Sequence, residues 1–194
     1  MAICTIDQTG LNAPLTLTSS TLTSPTLSNP TFTGTATGTV LVSGTAVTST
    51  SGTAISFTSI PSWVKRITVM FNGVSTTGTS IIQVQLGTSG GLKTSGYGGT
   101  VAYMTSTVGT TAVTTGIGVG ASNSAAHVRE GIITITNLTG NTWVGTSVIA
   151  LSSSAEMSFG GGSTTLSGTL TQLAINTVGG TDTFDAGIIN ILYE

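Results

Sequence analysis

The residues able to do acid–base or metal chemistry are few, so their spacing is quickly weighed. The carboxylates are Asp7, Glu130, Glu156, Asp182, Asp185 and Glu194. Hydrolysis of a glycosidic bond needs two carboxyls flanking that bond. Asp182 and Asp185 lie three apart in one loop, and an extended chain would turn them to opposite faces. Their expected role is an Asp-rich turn whose side-chain oxygens bond the local backbone. Glu130 and Glu156 are far apart in sequence, and only the fold can bring them together. His127 is the single histidine and Cys4 the single cysteine. A structural zinc site takes three or four such ligands, so no metal or other cofactor is expected, and an intrachain disulfide has no partner cysteine. His127, Arg129 and Glu130 stand together and are expected to form a solvated or interface polar cluster, not a general base.

Two glycine-rich stretches imitate nucleotide motifs without meeting them. Residues 87–94 place Leu92 where a phosphate-binding loop needs its second glycine, directly before the lysine. Gly116, Gly118 and Gly120 lack the third-glycine spacing of a dinucleotide fingerprint. The glycosylation-like triplet Asn137-Leu138-Thr139 is taken as chance. No enzyme is expected. Binding is the better prospect. Tyr97 beside Lys93, in a loop with several glycines, offers an aromatic plate and a cation as a candidate surface contact; the plainer reading is a long hairpin loop with a tucked Tyr. Trp63 is expected to cap one end of a core, and Trp143 to pack within a sheet.

The elements that position these residues begin with a repeat. Residues 16–35 read in fives, TLTSS, TLTSP, TLSNP, TFTGT, with Leu17, Leu22, Leu27 and Phe32 in the second place of each. That period suits neither a regular helix nor a single strand. Pro25 and Pro30 each lack a backbone N–H and disfavour helix in the residue before them. One chain with one large apolar residue in five cannot build a core, but several chains around an axis can. Those four side chains are therefore expected to pack in an inter-chain seam or to anchor the chain on a partner. After Gly34 the text changes to Gly-Thr punctuation, and from Ala54 onward strand candidates follow one another. They are 54–59, 64–72, 80–86, 100–105, 111–117, 131–137, 142–151, 156–159, 163–175 in two pieces, and 187–193. In 80–86, Ile82, Val84 and Leu86 alternate with Ile81, Gln83 and Gln85, which predicts a strand with one covered face. Only 121–130 tolerates a helical turn or two. Turn signals such as Asn72-Gly73, Gly90-Gly91 and Gly179-Gly180 separate the strands.

The expected organisation is all-β: an extended N-terminal arm or stalk over 1–50, then an antiparallel, jelly-roll-like β-sandwich over 51–194. Charged residues make up 5% of the chain, against about 25% in ordinary soluble domains. Lys65, Arg66, Lys93 and Arg129 are the whole cationic complement, which argues against a nucleic-acid partner. No apolar run approaches 18 residues, so no membrane insertion is expected, and the N-terminus has no signal-peptide pattern. Sandwich edges rich in Thr and Val invite association, and so few charges cannot guard them. A closed cyclic oligomer, with three copies favoured because a three-fold axis encloses a dry seam, would cover them.

Three stretches carry a resemblance. Residues 21–35, with their repeated Thr-Leu and two prolines, resemble the repeats of tailed-bacteriophage tail fibres and related virion appendages. The run Ile60-Pro61-Ser62-Trp63-Val64-Lys65-Arg66-Ile67, continuing to Ser75, resembles the start of a β domain of phage and prophage structural proteins. The ending from Phe184 to Glu194 resembles how such chains close. The resemblance implies a homotrimer with a stalk and an outward head domain, assembled in the host cytoplasm and located in the virion. It implies other virion proteins as partners through the arm, and a host surface glycan or protein as the target of a tail-fibre-like appendage. The second reading is a capsid decoration or head-fibre protein that stabilises the shell; an enzyme acting on surface glycan stands well behind both. The short lead before the repeat departs from the sizeable anchoring domain with which long fibres begin.

Overall fold

β-Branched residues alternating with Thr, Ser and Gly hold the chain extended, because their side chains pack well on a pleated surface. The computed structural model describes residues 41–120 and 124–194, all within the compact unit Thr39–Glu194. Among these residues the regular elements are strands: β1 Val42–Ser43, β2 Val47–Thr48, β3 Ala54–Phe57, β4 Arg66–Thr76, β5 Ile82–Thr88, β6 Gly91–Leu92, β7 Gly98–Met104, β8 Val108–Ala112, β9 Ile117–Gly118, β10 Arg129–Thr139, β11 Thr142–Leu151, β12 Glu156–Thr165, β13 Gln172–Thr177 and β14 Phe184–Tyr193.

The strands form two sheets that pack on each other. The larger runs β1-β14-β4-β10-β11-β12-β7-β8, with β2 also on β14; the smaller runs β3-β13-β5-β6, with β9 also on β5. Ile67, Val69, Ile133, Ile135, Ile149, Ile189 and Ile191 of the larger sheet meet Ile82, Val84, Leu86, Leu173 and Ile175 of the smaller. Each such buried side chain stabilises the fold by roughly 1.5–3 kcal/mol. β4 begins and β14 ends at one end of the sheets, here the lower end; the loops 77–81, 152–155 and 178–183 lie at the upper end.

β5 departs from the expected pattern. The alternation predicts one covered face, yet Ile82, Val84, Leu86 and also Gln83 and Gln85 are buried. On the far side of β5, Ile81 and Val178 pack with Val101, Val113 and Tyr103 in a second, smaller cluster. The glutamines survive burial by closing on each other's partners. Gln83 donates to Asn176 Oδ1 at 3.1 Å and accepts from Thr115 Oγ1 at 2.7 Å. Gln85 donates to Thr115 O at 2.8 Å and accepts from Asn176 Nδ2 at 2.8 Å. A buried amide whose donor and acceptor are both used avoids the desolvation penalty of an orphaned group.

Other expectations shift in detail. The stretch 111–117 is two strands, since β8 ends at Ala112 and β9 begins at Ile117 in the other sheet. The first piece of 163–175 is the tail of β12. Residues 125–126 form a turn and Arg129 opens β10, so that part of 121–130 is not helical; residues 121–123 lie outside the described residues. Val42–Ser43 and Val47–Thr48, assigned from sequence to the arm, pair with β14. At the upper end β10 and β14 both break register against β4. Gly187 sits at one of these bulges with φ +99°, and a Cβ there would lie 2.5 Å from Gly73 O. Only glycine allows that backbone approach.

Candidate interaction surfaces

The described charges gather at the two ends. At the lower end Arg66 pairs with Glu194, beside Lys65. There Trp63 lies over Tyr193, with ring centroids 5.9 Å apart. Trp63 was expected to cap the core, but it is 46% exposed, because the 61–64 turn carries it outside the sheets. Trp143 is buried in β11 as the sequence predicts.

At the upper end the carboxylates are tied down. Glu130 Oε2 accepts the Gly73 N–H at 3.0 Å, and Asp182 Oδ2 accepts the Ser80 N–H at 2.8 Å. Asp185 accepts a hydrogen bond from the Ser75 hydroxyl. The two aspartates therefore fasten the start of β14 to β4 and the following loop, where the sequence suggested bonds to their own turn. Arg129 is 1% exposed, not solvated, and its Nη1 donates to His127 O at 3.1 Å. Burial pulls its guanidinium down to about 10, opposed by the charges of Glu156 and Asp185. His127 is likewise pulled below its ordinary value, by burial first and by Arg129, against the pull of Glu156.

This arrangement ties strands together and keeps Glu130 and Glu156 apart. Arg129, Leu151 and Glu156 are cross-strand neighbours on the inner face, while Glu130 pairs with Ala150 one residue along, on the outer face. Glu130 and Glu156 thus occupy opposite faces of the larger sheet. No group of three metal-ligating side chains occurs among the described residues.

Lys93 and Tyr97 do not form a surface pair. Lys93 is half-buried below β6, and Tyr97 is 3% exposed with its ring in the main core. Its hydroxyl accepts the Leu86 N–H at 2.8 Å and donates to Lys93 O at 3.1 Å. Burial pushes this phenol up to about 12. The plate faces inward because the hydroxyl closes the β5–β6 hairpin. A nucleophile-elbow Gly-x-Ser-x-Gly was not expected from the sequence, yet this hairpin spells one at 87–91; it is a strand–strand turn with no helix, at the end away from His127. Leu17, Leu22, Leu27, Phe32 and Cys4 lie outside the described residues.

Sequence reasoning missed one surface. On the outer face of the larger sheet, cross-strand register aligns Met70, Ile132, Val148, Phe159 and Ala102 in one row across five strands. The next row toward the upper end carries Ala150, Met157, Met104 and Val108. The next row below is Thr68, Thr134, Thr146, Gly161 and Thr100. Val148 is 48% and Phe159 40% exposed. The available signal was two adjacent apolar residues in a strand, Ile132-Ile133 and Val148-Ile149, which must face opposite ways. No family model, curated protein or solved structure matches the chain.

Proposed function

We propose that the chain is a non-enzymatic structural protein of a tailed-bacteriophage virion, a homotrimeric tail-fibre-like appendage that contacts the host surface. Leu17, Leu22, Leu27 and Phe32 form the inter-chain seam or grip other virion proteins, and the domain that follows is a jelly-roll-like sandwich. The observation that carries this reading is a five-residue apolar repeat joined to an all-β domain almost without charge. A surface of Ser, Thr and Gly has little charge for salt to screen, which suits a particle exposed to varied ionic strength. Repeated passage between the sheets, from β4 to β5, β6 to β7, β12 to β13 and β13 to β14, supports a two-sheet sandwich, of which the jelly-roll winding is the finer proposal. The separation of Glu130 from Glu156 across the sheet supports a role without catalysis.

The test is copy number per purified particle, by quantitative mass spectrometry against the major shell protein. A few to a few dozen copies, together with binding of the isolated protein to host cells, is the expected result. Hundreds of copies, with tight attachment to empty heads and no cell binding, would replace the appendage by a shell decoration.

A further inference from the structure

We infer that the outer face of the larger sheet is where a second copy of this chain docks. The surface is a continuous block: the row Met70, Ile132, Val148, Phe159 and Ala102, backed by Met157, Met104 and Val108. From the exposed fractions of its large residues, the block leaves on the order of 500 Å² of apolar surface open, at the upper range for a patch on a monomer. With the adjoining threonine row it approaches the ~800 Å² that each partner contributes to a stable interface.

Charge selects the occupant. Identical faces bring identical charges together, so most surfaces repel their own copies unless opposite charges are interleaved. This face holds Glu130 at one margin and Arg66, paired with Glu194, at another, and between them only uncharged residues: apolar side chains, threonine, serine, glycine and, along the β4–β14 side, Asn72 and Asn190. Glu130 is already hydrogen-bonded to the Gly73 N–H. A foreign partner of either charge finds nothing here to steer it, whereas a copy of this chain meets no repulsion. The β-branched side chains in register form a ribbed surface, and a second such surface can interdigitate with it as sheets do in a domain core. This inference rests on the face alone and not on the virion reading, which places the seam in the arm.

The experiment compares the full chain with Val148→Lys and Thr146→Lys by sedimentation, and uses Thr181→Lys on an exposed upper loop as control. Both face positions are open to solvent, so circular dichroism of the variants is expected to match the parent. The inference expects at least a hundredfold weaker self-association for Val148→Lys, a smaller loss for Thr146→Lys, and none for Thr181→Lys. A parent dimer split by Val148→Lys upholds the face and removes the trimer from the proposed function. A parent trimer unaffected by either face variant overturns the inference and leaves the arm as the seam. A parent that stays monomeric at high concentration overturns it too, and passes the face to a different protein.

Discussion

On the far side of the small sheet, Gln83 and Gln85 are buried with Asn176 beside them; on the outer side of the large sheet, Ile132, Val148 and Phe159 are open. By polarity alone the two surfaces would be exchanged. On the covered side, the Gln83, Gln85, Asn176 and Thr115 side chains together with the Thr115 carbonyl use the two glutamines' donors and acceptors, and the β7–β8 end of the large sheet supplies Val101, Val113 and Tyr103 as a lid. On the open side the apolar row runs beside solvated threonines, and its charges stand only at the margins. On these two faces burial follows hydrogen-bond closure and the cover another layer supplies, although the core as a whole is apolar.

The covered side is where disruption is expected to be largest. Asn176→Leu leaves the Gln83 amide without its acceptor and the Gln85 oxygen without its donor. The expected loss is about 3 kcal/mol, measured as a shift in the urea midpoint. A loss under about 1 kcal/mol would mean that water replaces the asparagine, and the closed-cluster account would fall.

Tyr97, in the main core, sharpens the contrast with the open side through pH. Its folded value is raised from the ordinary 10 to about 12. Between those values the unfolded chain releases the phenol proton and the folded chain keeps it. Stability is therefore intact below pH 10 and declines as pH rises toward 12, by about 2–3 kcal/mol from this group. Tyr97→Phe has no proton to release, so the difference between it and wild type should shrink over that window. Parallel stability profiles from pH 9 to 12 would show that water reaches the hydroxyl, contrary to its burial beside Leu86.

The open side is expected to be the least sensitive. Ile132→Thr keeps the β-branch at a half-exposed position and should change folding stability by less than about 1 kcal/mol. Thermal melting at low protein concentration checks this. A loss as large as that of Asn176→Leu would mean that Ile132 is already covered in the single chain, and the contrast between the faces would disappear.

Much of the strand order was legible because it rests on local physics. The alternation through Ile67, Val69 and Phe71 marks β4, and 142–151 was read with the bounds that β11 has. What alternation cannot say is which face another layer covers. In 80–86 the sequence showed one apolar and one mixed face correctly, but the cover over Gln83 comes from residues far along the chain, near Thr115 and Val101. Arg129 was read, with His127 and Glu130, as part of a solvated or interface polar cluster; it is buried because it opens β10 on the inner face of the larger sheet, opposite Leu151. For Tyr97 the sequence allows a surface contact or a tucked ring in a hairpin loop, and the ring is tucked, with its hydroxyl on Leu86. The candidate site was the least legible part, since the outer apolar row exists only once five strands fall into register.

The pairing of β1 and β2 with β14 also determines how the domain bears load. Val42 stands opposite Tyr193, so position 41 and residue 194 emerge at the same corner. A pull applied between them peels the first pairs apart one after another, as a zipper opens. Tension applied between position 41 and the upper loops instead strains the β1 and β2 contacts with β14 together, because it acts along the strands and across their hydrogen bonds. The domain is thus mechanically anisotropic, yielding to a tug on its own two ends and resisting one transmitted from its opposite end.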